Sequence, residues 1–67
     1  MHIKPEDFGQ VERVLVQDYW YNVVPNTFHL EGAEYRFTFY AKGGRQVQMQ
    51  VQPEQVAGVQ LDEAATE

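Results

Sequence analysis

Chemistry in a protein needs convergent nucleophiles, bases or metal ligands, and this chain offers few: two histidines, no cysteine and no serine. Without cysteine there is no thiolate zinc site, no CxxC redox pair and no cysteine nucleophile. Without serine there is no serine nucleophile, and Thr27, Thr38 and Thr66 lack a positioned base. His2 and His29 lie far apart, and no acid or histidine stands at ligand spacing from both, so no metal site is expected. Gly43-Gly44 precedes no helix and belongs to no GxxxxGK[ST] or GxGxxG pattern, which makes it a turn and not a phosphate loop. The nearest central carboxylates, Glu31 and Glu34, flank a turn and do not line a cleft. No cofactor is implied, and the chain is not expected to be an enzyme.

Charge narrows the partners. Ten acids against five bases give a net charge of −5, which opposes general affinity for phosphate backbones or anionic lipid. The distribution is uneven. Tyr35 to Gln52 holds Arg36, Lys42 and Arg45 and no acid, so this segment is +3 and the remainder −8. No apolar run approaches the length of a membrane span, and the start, Met1-His2-Ile3-Lys4-Pro5, leads into Glu6 and Asp7 without an apolar signal core. Together with the missing cysteines this predicts a cytoplasmic protein.

The surface residues that remain must be positioned by strands, because after Gln10 the apolar pattern has period two nearly throughout. Tyr35, Phe37 and Phe39 share one strand face, and Val47, Met49 and Val51 share one face of the next. A two-residue Gly43-Gly44 loop would set Phe39 against Gln48 and send one set to the wrong side. A three-residue loop, Lys42-Gly43-Gly44, pairs Phe39 with Val47, Phe37 with Met49 and Tyr35 with Val51. It fits a type I turn plus bulge, with Gly44 in the left-handed position. Upstream, a turn centred on Pro25-Asn26 would pair Val23 with Phe28 and Tyr21 with Leu30, leaving Asp18, Trp20, Asn22, Thr27, His29 and Glu31 on the opposite face. A second turn at Gly32-Ala33 starts the Tyr35 strand. Val11 to Val16 forms another strand whose parity stays open, since Gln17-Asp18 fits a bulge, a bend or a turn. Pro53-Glu54-Gln55 breaks the ladder before Val56 to Leu61 resumes it.

Pro5-Glu6-Asp7-Phe8, followed by Gly9, predicts one short N-terminal helical turn, the alternative being an irregular arm that tucks Phe8 into the core. The fold class expected is all-β, a small antiparallel meander of five to six strands. A long bent first strand, hairpin-linked strands, a one-turn break and a short final strand resemble, in strand order alone, an SH3-like or Sm-like roll. The resemblance spans roughly residues 11–61 and brings no functional residues with it; an open sheet completed by a second copy is the competing architecture. Residues 1–61 make one domain, whose core is small, since a chain of this size buries only about 60% of its unfolded surface. Residues 62–67 form an acidic tail expected to fray.

The function these features predict is that of a non-enzymatic protein-interaction module, a small accessory β-domain docking on a larger protein. Short, acidic, cysteine-free chains of this kind resemble accessory proteins of bacteria or their phages. The partner-binding residues expected are Trp20, His29, Arg36, Tyr40 and Arg45. Trp20 and Tyr40 stand opposite the sets that must be core, Arg36 and Arg45 can meet carboxylates, and His29 shares the Trp20 face. Burial of Trp20 in the core is the competing reading. The face carrying Arg36, Thr38 and Tyr40 beside Gln46, Gln48 and Gln50 is weakly charged, which leaves homodimer formation open. The alternatives are weak nucleic-acid binding through the basic hairpin 35–52, or acidic mimicry of nucleic acid.

Overall fold

A computed structural model describes residues 2–62 of the chain. A 3-10 turn over Pro5–Gln10 precedes β1 (Val11–Val16), β2 (Tyr19–Asn22), β3 (His29–Glu31), β4 (Glu34–Tyr40), β5 (Gln46–Val51) and, after a 3-10 turn at Pro53–Gln55, β6 (Val56–Leu61). They form two antiparallel three-stranded sheets, ordered β2–β1–β6 and β3–β4–β5. The fold is the expected small all-β domain, and β6 returns to pair antiparallel with β1. Among the described residues no helix is long and apolar enough to cross a membrane.

The first correction concerns the first strand, which is not long and bent. Gln17 and Asp18, with φ of 53° and 66°, close a two-residue hairpin between Val16 and Tyr19. Positive φ at both central residues is the requirement of a type I′ turn, whose twist matches that of the flanking strands. Tyr19–Asn22 therefore folds back on β1, pairing Tyr21 with Val14 and Trp20 with Leu15. This fixes the open parity: Val14 and Val16 are buried, while Arg13 and Leu15 lie on the other face.

The second correction concerns Pro25-Asn26. The turn forms, with Asn26 at φ 65° and the Thr27 N–H donating to the Val24 carbonyl at 3.3 Å, but it is not a hairpin. Val23 bridges Phe39 instead of meeting Phe28, and Leu30 pairs with Tyr35 instead of Tyr21. Proline followed by a residue of positive φ makes a type II turn, which splays its flanking strands. Both flanks run on along one edge of β4, Val23 at Phe39 and His29–Glu31 at Arg36–Glu34. The gap between them is closed by a side chain. The Thr27 hydroxyl accepts the Thr38 N–H at 3.1 Å and donates to the Val24 carbonyl at 2.7 Å, while the Val24 N–H donates to the Thr38 carbonyl at 2.8 Å.

The long hairpin has the register derived from parity, with Phe39 at Val47, Phe37 at Met49 and Tyr35 at Val51. Gly44 takes a positive φ of 82°, as assigned, but so does Gly43, at φ 81° and ψ 9°. The latter is the second central position of a type II turn, not of the type I turn expected. Gly32, at φ 63°, opens the two-residue turn between Glu31 and Glu34.

The core comprises Val11, Val14, Val16, Val23, Phe28, Tyr35, Phe37, Val51 and Val56, with Ile3 added from the N-terminal arm. Ile3 gives no periodic signal, yet its N–H donates to the buried Tyr35 hydroxyl at 2.7 Å. The helical turn forms at the start in place of an irregular arm, and Phe8 packs against the core from it. Pro5–Gln10 is 3-10, continues through Gly9, and sets Phe8 edge-on to Phe28 and Tyr35 at centroid distances of 5.3 and 6.0 Å. Asp62 still belongs to the ladder, its N–H donating to the Gln10 carbonyl at 2.7 Å. The tail over residues 63–67 lies outside the described residues.

Two outcomes follow for chemical denaturation. Phe37→Ala is expected to cost about 3–5 kcal/mol by leaving a cavity between the sheets, against about 0.5 kcal/mol or less for exposed Tyr40→Ala. Thr27→Val keeps the shape but orphans the Thr38 N–H, so it is expected to cost about 1–3 kcal/mol.

Candidate functional site

The outer face of the β3–β4–β5 sheet gathers most of the polar side chains that the sequence singles out. Register sets His29, Arg36 and Gln50 in one cross-strand row, and Thr38 and Gln48 in the next, with Tyr40 and Gln46 following toward the tip. Glu31 and Glu34 face each other across the Gly32-Ala33 turn. Two like charges in that position repel, and the guanidinium beside them offsets the repulsion. Arg36 Nη1 lies 3.3 Å from Glu31 Oε1 and Nη2 lies 4.0 Å from Glu34 Oε1. Arg36 Nε is buried and has no hydrogen-bond partner among the described residues.

His29 is held from the other side. Its Nδ1–H donates to the Thr27 carbonyl at 2.8 Å, which leaves Nε2 facing Glu31 Oε1 at 3.5 Å. The ring thus accepts at Nε2 when neutral and pairs with Glu31 when protonated. These residues, with Thr27, Thr38, Gln48, Gln50 and parts of Phe37 and Met49, line an open groove of about 400 Å³. The side chains of His29, Glu31, Arg36 and Glu34 remain 35–59% exposed, so the network contributes little to stability. The arrangement orders charge; it does not assemble a nucleophile with its base. The Thr27 hydroxyl, the nearest candidate, is committed to the backbone of Val24 and Thr38. Among the described residues no group of three or more His, Cys, Asp or Glu is placed to hold a metal.

The expected site residues divide into two places. His29 and Arg36 are direct neighbours, Tyr40 lies on the same face and is 42% exposed, and Arg45 is exposed beside the hairpin loop. Trp20 is elsewhere. It sits on the outer face of the β2–β1–β6 sheet, opposite Leu15, with its ring edge 3.5 Å from where a Cβ on Gly58 would stand. It is 42% exposed, so it is neither core nor part of the His29 face, and it covers a glycine that would otherwise bare the strand. The shared hairpin face expected for Trp20 and His29 disappears with the Pro25-Asn26 hairpin. The pairing of Glu31 with Arg36 was missed, although the Gly32-Ala33 turn contains the signal: a two-residue loop there fixes His29 opposite Arg36.

Comparison with protein-family models, with curated proteins and with solved structures finds no match.

Replacing Arg36 by Gln removes the cation between the two glutamates. We expect a loss of about 0.2–1 kcal/mol at low ionic strength that shrinks in salt, read from denaturation midpoints. A loss unchanged by salt would mean that the side chain acts through packing.

Proposed function

We propose that the chain is a non-enzymatic protein-interaction module, a small accessory domain that docks on a larger protein through the outer face of β3–β4–β5. The observation that carries this reading is the Arg36 network. A guanidinium stands in an open groove between two carboxylates, and its Nε meets no acceptor among the described residues. The Arg36 side chain is 43% exposed, so a carboxylate or carbonyl brought by a partner can reach the guanidinium. Around Arg36 the amides of Gln48 and Gln50 carry donors and acceptors without full charge, and can meet a polar surface at a modest desolvation cost. Tyr40 adds an exposed ring at the rim.

The same network weighs against nucleic acid. Arg36, one of three bases on the +3 hairpin, is already matched by Glu31 and Glu34, which lowers the counterion release available from a phosphate backbone. A cysteine-free, acidic composition suits work in the cytoplasm.

Purification of the tagged chain from its native cells, followed by mass spectrometry, identifies the partner, and three variants then locate the surface. Arg36→Ala and Tyr40→Ala are expected to weaken binding, the former by about 2 kcal/mol, while both stay folded. Trp20→Ala, on the other sheet, is expected to lower the melting temperature and keep the partner. Full partner retention by both Arg36→Ala and Tyr40→Ala, or co-purification of nucleic acid alone, overturns the reading.

A further inference from the structure

The open edge of β5 is unlike the other strand edges of this fold. In the β4–β5 hairpin the Ala41 N–H donates to the Arg45 carbonyl at 2.6 Å, which makes these two a hydrogen-bonded pair. Such pairs alternate along an antiparallel ladder. Tyr35–Val51, Phe37–Met49 and Phe39–Val47 are then the bonded pairs, and Gln46, Gln48 and Gln50 turn their N–H and C=O groups away from β4. The opposite edge of β4 supports this assignment. Thr38, the partner of Gln48, turns its N–H and C=O outward to Thr27 and Val24.

β5 ends its sheet, so no described strand lies on that side of it. Its sequence, Gln46-Val47-Gln48-Met49-Gln50-Val51, has no charge, proline or glycine, and all six residues pair with β4 without a shift. These are the features that natural edges usually avoid. The other edges carry protection: β6 has register shifts against β1 and contains Gly58, β3 is three residues long and bears His29 and Glu31, and β2 is four residues long.

We infer that β5 pairs with β5 of a second copy, antiparallel about a two-fold axis through Gln48. This register sets Gln48 opposite Gln48 of the second copy and Gln46 opposite Gln50, so the outward backbone groups of all three meet partners. A two-fold perpendicular to the sheet keeps faces aligned. The glutamines then form a continuous amide ladder on the outer face, and Val47 meets Met49 of the second copy, twice, on the core face. That side needs cover, because Val47 is 37% exposed and Met49 only half-buried. A second copy is the fitting occupant despite a net charge of −5 per chain, since the paired segment itself carries no charge to repel. The contact is small, so the dimer is expected to depend on concentration. It adjoins the proposed docking face and does not rest on it.

Sedimentation or light scattering of the pure chain tests this directly. The mass is expected to rise with concentration from 7.8 kDa toward twice that value. Amide exchange at Gln46, Gln48 and Gln50 should slow over the same range. Gln48→Lys and Gln48→Glu each place like charges across the two-fold, and each should weaken its own dimer about fivefold. Mixing the two variants should restore pairing. A chain that stays monomeric with unchanged exchange at these amides overturns the inference, as does a dimer insensitive to both variants or a mixture that recovers nothing. Because the readout is the mass of the isolated chain, a monomeric result leaves partner binding by the groove to its own assay.

Discussion

The two sheets meet at Thr38, and the fold depends on how the backbone of that residue is satisfied. Its carbonyl accepts from Val24 and its N–H donates to the Thr27 hydroxyl, where a regular strand would have supplied both partners. The irregularity arises from Pro25 and Asn26, whose type II geometry forbids a hairpin and lifts the chain off β4 for a few residues. A hydroxyl at position 27 is long enough to reach back across that gap. One edge of β4 can therefore take Val23 from the first sheet and His29–Glu31 from the second. Without such a junction the Thr38 N–H and carbonyl on the edge of β4 would stand unpaired in a part-buried place, at a cost typical of unpaired amides.

Packing follows from that junction. Phe28, carried past the turn, lies against Phe37 and Tyr35 at centroid distances of 5.6 and 5.2 Å, and Phe8 closes the cluster from the N-terminal side. The aromatic contacts continue outward through Phe39 and Tyr21 to Tyr19, which is 63% exposed. Burial fades in the same direction along the long hairpin, from Tyr35, Phe37 and Val51 to Phe39, Met49 and Val47. A chain of 67 residues has too little volume to cover both sheets along their whole length. The uncovered margin falls at the hairpin tip and along β5, next to the polar face that carries the Arg36 network.

Much of this was legible in the sequence, and the legible part shares one cause. Alternation on two adjacent strands admits only one loop length, because a one-residue slip exchanges core and solvent faces. The β4–β5 register, the glycine loop and the outward placement of Arg36, Thr38, Tyr40, Gln46, Gln48 and Gln50 follow from that constraint alone. Inward Tyr21 and Val23 agree with parity, whereas the choice between core and surface for Trp20 stayed open until the structure placed it over Gly58. The pairing of His29 with Arg36 was within reach by the same rule, through the two-residue Gly32-Ala33 turn.

Tertiary structure decided what parity leaves open, namely which strand each face meets. Asp18 tolerates the left-handed conformation but Gln17 does not announce it, and the hairpin the two residues close hands β2 to β1 and leaves Trp20 over Gly58, away from His29. Ile3 joins the core where its N–H donates to the buried Tyr35 hydroxyl, a contact with a residue 32 positions away that no local pattern shows. Local sequence thus determined which sides of β4 and β5 face the core, since side-chain alternation is a property of the backbone itself. The parity of β1 waited for the Gln17-Asp18 turn, and Leu30, expected on the core side, is 47% exposed. The partners across the strands depended on turn conformations and on distant groups, because hydrogen bonds and buried apolar surface must be satisfied over the whole molecule at once.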